Sequence, residues 1–314
     1  MHLCMKIKCP RSQCSSHTSP GPNLKAIVRN GSFRRRSDSR RIRRYFCRCC
    51  GSYFSNATSR ADRYQKKRRV NHVIYRLYSS GVSQRRLAKV LNLNRKTVVR
   101  KVRYLAELER TKQEIFLRTH YGSKPLSQIQ FDDLETSEHT KCKPLSVTLA
   151  VDPETRKILK FKVASMPARG HLSKISRKKY GIRKDERPTQ WNAFMKELIP
   201  FTTRECVWSS DENPHYPAPL KRHHPLATHT RFKGARGFTT GQGELKKLRF
   251  DPLFALNHTC AMLRANLNRL FRRTWCTTKN KQGLIDHLSI YVSYHNQVLT
   301  RSSLTATSAF KEAS

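Results

Sequence analysis

The sequence predicts an α+β chain of three modules: a small cysteine-pinned module over residues 1–60, a helical module over 61–120, and an α/β core with a mixed sheet over 121–314. Three observations carry this. Two close pairs of cysteines precede residue 51, apolar residues recur at helical spacing between 70 and 105, and from 126 the pattern turns to short apolar runs. Composition sets the frame. The 314 residues carry 64 Lys+Arg against 21 Asp+Glu, a formal charge of +43. Self-repulsion of that size calls for a polyanion, and nucleic acid offers phosphates along a long path. An ordinary metabolic enzyme with a neutral surface is excluded, and 37% hydrophobic residues exclude a disordered basic tail. There is no run of about 18 apolar residues, and MHLCMKIKCPR is broken by charge, so the expectation is a soluble cytoplasmic protein without a membrane partner.

The N-terminal third is the more basic part. Residues 1–110 hold 29 Lys+Arg and only four acids, Asp38, Asp62, Glu107 and Glu109. Cys9 and Cys14 in CPRSQC, with Cys47 and Cys50 in CRCC, are the paired thiolates that fill a tetrahedral Zn²⁺ site in a reducing cytosol. The context RRYFCRCCGSYFS resembles the RYxCxxCxxxF knuckle of zinc ribbons, in which aromatic residues pack beside the metal. Cys49 could replace Cys50, and free thiols in a partly disordered arm are the plainer alternative. Cys4 is unassigned. Between the pairs, RNGSFRRRSDSRRIRR reads as a basic loop facing phosphate.

The helical module is VNHVIYRLYSSGVSQRRLAKVLNLNRKTVVRKVRYL. Val73, Ile74, Leu77 and Tyr78 mark one helix, stopped by Ser79-Ser80-Gly81. Ser83 caps a second with Leu87, Ala88, Val90 and Leu91; after Asn92-Leu93-Asn94 a third carries Val98, Val99 and Val102. This is helix-turn-helix spacing. Arg95, Lys96, Thr97, Arg100 and Lys101 are expected to project from the last helix toward a DNA major groove, and residues 110–117 to continue as a linker helix.

In the core, LSQIQFDDLE, KPLSVTLAVD and TRKILKFKVASM read as a three-strand meander. A basic loop, ARGHLSKISRKKYGIRK, follows, then a helix over TQWNAFMKELI, a strand ECVWSS ending at Asp211, and a long helix from about Pro252 to Trp275. That order is the order of an RNase H-like core with a fifth strand unseen or short. In that fold the first and fourth strands are neighbours. Asp132 or Asp133 on the first would then meet Asp211 on the fourth and hold divalent metal, Mg²⁺ or Mn²⁺, for phosphoryl transfer. Strand alternation leaves the first acid open: Asp132 shares a face with Gln128 and Gln130, Asp133 with Ile129 and Phe131. Asp132 is preferred. Cys142, Cys206, Cys260 and Cys276 are read as reduced core residues.

The cysteine module, the helix-turn-helix, QFDDLET, WSSDENPHY and NHTCAMLRANLNRLFRRTWCTTK together resemble bacterial insertion-sequence transposases of the DDE type, over nearly the whole chain. The resemblance implies catalytic acids at Asp132, with Asp133 beside it, and at Asp211. It puts Asn257 where a glutamate is expected; Glu244 is a second candidate. It also implies a basic ridge of Arg264, Arg269, Arg272, Arg273 and Lys279 against the DNA end, and a homo-oligomer working on double-stranded element ends and target. The implied reaction is metal-dependent nicking followed by strand transfer. A catalytically weakened copy, or a non-catalytic repressor of transposition, is the alternative.

Overall fold

The computed structural model describes residues 7–17, 26–36, 38–63, 65–233, 251–271 and 276–300. They form two compact units that divide between His72 and Val73.

The first unit is a three-stranded antiparallel sheet, β1 (Ile27–Arg34), β2 (Arg41–Cys47) and β3 (Tyr53–Ser55), in that order. The arginine-rich stretch expected as a loop is therefore mostly strand. Every second residue of β2 turns to one face, so Tyr45 and Cys47 are buried there with Phe54, Cys9 and Cys14. Their basic neighbours stay in water, and the excess of arginine hides the alternation.

The second unit opens with α1 (Val70–Tyr78, shared with the end of the first unit), α2 (Gln84–Val90) and α3 (Arg95–Tyr121). The expected Ser83 cap forms, and Asn94, read only as a turn residue, caps α3 as well. Ser83 Oγ accepts from Arg86 N at 3.4 Å and Asn94 Oδ1 from Lys96 N at 2.8 Å. The α3 helix runs on for 27 residues, absorbing the expected linker. Its inner face docks on the core: Gln113 Nε2 donates to Ile158 O at 3.1 Å, and Ser293 Oγ donates to Glu109 Oε2 at 2.6 Å.

The core is a five-stranded mixed sheet ordered β6-β5-β4-β7-β8, built from β4 (Leu126–Ser137), β5 (Pro144–Val151), β6 (Ile158–Ser165), β7 (Thr202–Asp211) and β8 (Thr228–Phe232). The meander β4-β5-β6 is antiparallel, while β7 lies parallel to β4 and β8 parallel to β7. The short fifth strand is thus THTRF. Helices α4 (Leu172–Tyr180), α5 (Arg187–Leu198) and α6 (Pro217–His223) fall between strands, and α7 (Phe254–Asn266) and α8 (Lys281–Tyr294) follow them. One face packs Phe131, Trp208 and Ile129 against Trp191, Phe194 and Tyr216; the other packs Leu134, Leu149 and Val147 against Leu256, Leu263 and Leu288.

Several expectations need correction. The stretch expected as a basic loop holds α4. The helix expected to reach Trp275 ends at Asn266, because Leu267 turns extended (φ −102°, ψ 107°) so that it and Leu270 can enter the core. Cys276 is exposed, not a core residue. No described helix is long and apolar enough to cross a membrane.

Candidate metal centre and acid pair

Two places gather metal-ligating side chains. In the first unit, Cys9, Cys14, Cys47 and Cys50 bring their sulfurs within 4.8 Å of one another. Cys9 Sγ lies 3.5 Å from Cys50 Sγ, and Cys14 Sγ 3.6 Å from Cys47 Sγ. Four sulfurs each about 2.3 Å from one ion would stand roughly 3.8 Å apart, so the donor set fits a tetrahedral Zn²⁺. The knuckle is made by the β2–β3 turn, where Gly51 takes φ 68° and its N–H reaches Cys47 O at 2.9 Å. Burial works against the Cys47 thiolate, yet the N–H groups of Cys50 and Cys49 outweigh it and bring the thiol below its ordinary range. The Ser52 hydroxyl draws Cys50 down to about 6, whereas burial pushes Cys9 up to about 12. The Cys49 side chain is exposed and stands outside the quartet; Cys4 lies outside the described residues.

The second place is at the middle of the core sheet. In the parallel pairing of β4 with β7, Gln130 stands beside Ser209. Two residues further along each strand, the same register brings Asp132 abreast of Asp211. Burial, then the neighbouring Asp211 charge, lifts the Asp132 carboxyl to about 7. Tyr216 Oη donates to Asp132 Oδ1 at 3.2 Å, and Asn213 N donates to Asp211 Oδ1 at 3.1 Å. Neither carboxyl forms a salt bridge among the described residues.

Asp133 points the other way. Its carboxylate accepts from Thr148 Oγ1 and from Trp191 Nε1, the latter at 3.1 Å, so it is a satisfied, half-buried acid of the opposite face. Burial still raises it above the usual carboxylate range.

Asn257 sits exposed in the first turn of α7, and its Nδ2 donates to Asp251 Oδ2 at 2.9 Å. The α7 side chain that senses Asp132 is Cys260, whose thiol is pushed up to about 12 by burial and then by the Asp132 charge. Glu244 lies outside the described residues. The cysteine quartet is the only group of three or more potential His, Cys, Asp or Glu ligands among them.

Of the expected DNA-facing residues, Arg95, Lys96 and Arg100 are exposed at the start of α3, and Thr97 is half-buried. Lys101 is not on that surface. It is only 5% exposed, because it stands three residues after buried Val98 and four before buried Leu105, on the core stripe. Arg264 is half-buried on α7, and Arg269 lies beyond the helix end, donating through Nε to Tyr78 Oη at 3.4 Å. No continuous helical ridge is formed among the described residues. Arg272 and Arg273 lie outside them.

Two residues at the acid pair are not singled out by sequence reasoning. Tyr216 follows Asp211 by five positions, a signal present in WSSDENPHY. Gln130 clamps α7 to the sheet: its Nε2 donates to Pro252 O at 2.9 Å and its Oε1 accepts from Leu256 N at 3.0 Å. Among known proteins, no family model matches the chain, and no curated protein is similar to it in sequence.

Proposed function

We propose that the chain is a DNA transposase of the DDE type, in which an RNase H-like core cleaves and joins DNA strands with divalent metal held at Asp132 and Asp211. One observation carries this reading: two carboxyls stand abreast on adjacent parallel strands, and burial with mutual repulsion lifts one of them to about 7, with no salt bridge to either among the described residues. An acid pair that no side-chain cation neutralises among the described residues suits a divalent ion, whose charge would stabilise the oxyanions of phosphoryl transfer. Tyr216 would orient Asp132 through its hydroxyl, and Gln130 would fix α7 beside it. The strand order and directions support the RNase H-like reading, and the exposed Arg95, Lys96 and Arg100 support α3 as the helix that enters the groove. The four-cysteine cluster supports a zinc ribbon.

The weakened-copy reading keeps one observation of its own, since the described residues supply no third acid and Asn257 is occupied by Asp251. Both readings are tested by incubating the protein and Mg²⁺ with duplexes carrying the DNA that flanks the coding sequence. Nicking that Asp211→Asn abolishes supports an active transposase. End binding without nicking by the wild type supports the weakened copy, and neither binding nor nicking overturns both.

A further inference from the structure

Between β6 and α5, the segment Met166–Lys184 contains seven Lys or Arg and no acid. The acids that follow, Asp185 and Glu186, are taken by Arg187 and Lys281. On α4, Lys174, Arg177 and Lys178 are exposed and form no ion pair among the described residues. Their spacing of three and four residues sets like charges side by side on one helical face, which weakens an isolated helix. The helix is nevertheless firmly held. Ser176 Oγ donates to Cys142 O in the β4–β5 turn at 2.7 Å, the Lys143 ammonium lies 5.0 Å from the Tyr180 ring centre, and Gly181, at φ 74°, closes the last turn. A repulsive cluster on an anchored element is what an anion-binding surface requires.

Its position gives it an occupant. The β7 strand ends at Asp211, in step with Asp132, whereas β4 continues to Ser137, paired there with β5 alone. At that same end Leu145 of β5 pairs with Ser165, the last residue of β6. The basic segment therefore leaves the sheet at the end where the acid pair opens, and Arg169 reaches back to Glu135, three residues past Asp132, at 3.4 Å. We propose that α4 is a phosphate-backbone clamp that holds duplex DNA against the acid pair, separately from the groove-reading start of α3. Its role in cleavage rests on the transposase reading; its binding of duplex does not.

The test uses the full chain and a 40-base-pair duplex of arbitrary sequence. For Lys174→Gln/Arg177→Gln/Lys178→Gln, the slope of log K against log salt should fall by about 2 to 3, because each phosphate neutralised by a cation contributes about 0.9, and binding near physiological salt should weaken at least tenfold. Where the wild type nicks DNA, the variant should need more DNA for half-maximal nicking and reach a similar plateau. An unchanged slope in a variant that melts like the wild type overturns the clamp. So does loss of binding to phosphatidylserine vesicles with duplex binding intact, the result that exposed Ile175 and Ile182 beside the cations would give if α4 met a membrane surface. If no nicking is found with any protein, the transposase reading fails while the slope still decides the clamp.

Discussion

The cysteine quartet and the acid pair are built from opposite materials. The quartet draws four ligands of one kind from two short stretches of one small unit, Cys47 and Cys50 at the β2–β3 turn and Cys9 and Cys14 ahead of β1. The acid pair needs strands whose acids lie 79 positions apart in sequence to meet in register, and the third position that the proposed reading assigns to α7 holds no acid. A site made from two close cysteine pairs declares its composition locally, pair by pair. A site made from topology declares only the residues whose strands can be recognised.

The largest effects should come from removing one member of each site. Cys47→Ser should release the zinc, and because free energies on the order of 10 kcal/mol are typical of structural zinc, residues 1–60 should lose their fold. Metal analysis with amide exchange checks both; freshly purified reduced protein with no zinc would refute the assignment. Asp132→Ala or Asp211→Ala should lower nicking by a factor of roughly a thousand or more while leaving end binding intact, as measured by gel cleavage and titration. A fully active Asp211→Ala protein would refute the catalytic reading.

A pH dependence should set the acid pair apart as well. The Asp132 carboxyl titrates at about 7 in the fold and near its ordinary 3.8 when unfolded. Between those values the native state binds the extra proton, so in metal-free protein this group's contribution is full below about 4 and is lost as pH rises to about 7. The loss is on the order of 1 to 4 kcal/mol. Denaturant titrations should show that slope, Asp132→Asn should flatten it, and saturating Mg²⁺ should flatten it too. Smaller effects belong to α3, where Arg95→Ala or Arg100→Ala should cost about 1 to 3 kcal/mol if the side chain reads a base, with relaxed preference at that position in competition binding. Smallest is Asn257→Glu. The new carboxylate would face Asp251, so nicking should change by less than about threefold.

Much of the fold is legible in the sequence because periodicity and caps agree. Ser83 announces α2, Val98 and Val102 at helical spacing announce α3, and alternation in QFDD and the apolar end of ECVWSS announce β4 and β7. What the sequence hides, it hides for physical reasons. Helix α8 is buried on nearly every side, from Leu284 through Ser293, so it has no polar face to give it a period. Conversely, α4 has almost no apolar face. The charge of Lys101 suggests solvent or phosphate, although Val98 and Leu105 mark its side of the helix as core. The acid pair is legible as a pair, but its internal arrangement is not, since the choice between Asp132 and Asp133 depends on which face meets Trp191 and Thr148.

The Gln130 clamp has a consequence for descent. Both ends of its amide are committed to the opening turn of α7, at Pro252 and Leu256, so that helix cannot slide by a residue without stranding two buried polar groups. Lineages that inherit this glutamine can change what α7 presents to Asp132 only by exchanging side chains such as Cys260 in place. Under the proposed transposase reading, gain or loss of a third ligand there becomes a single-codon event.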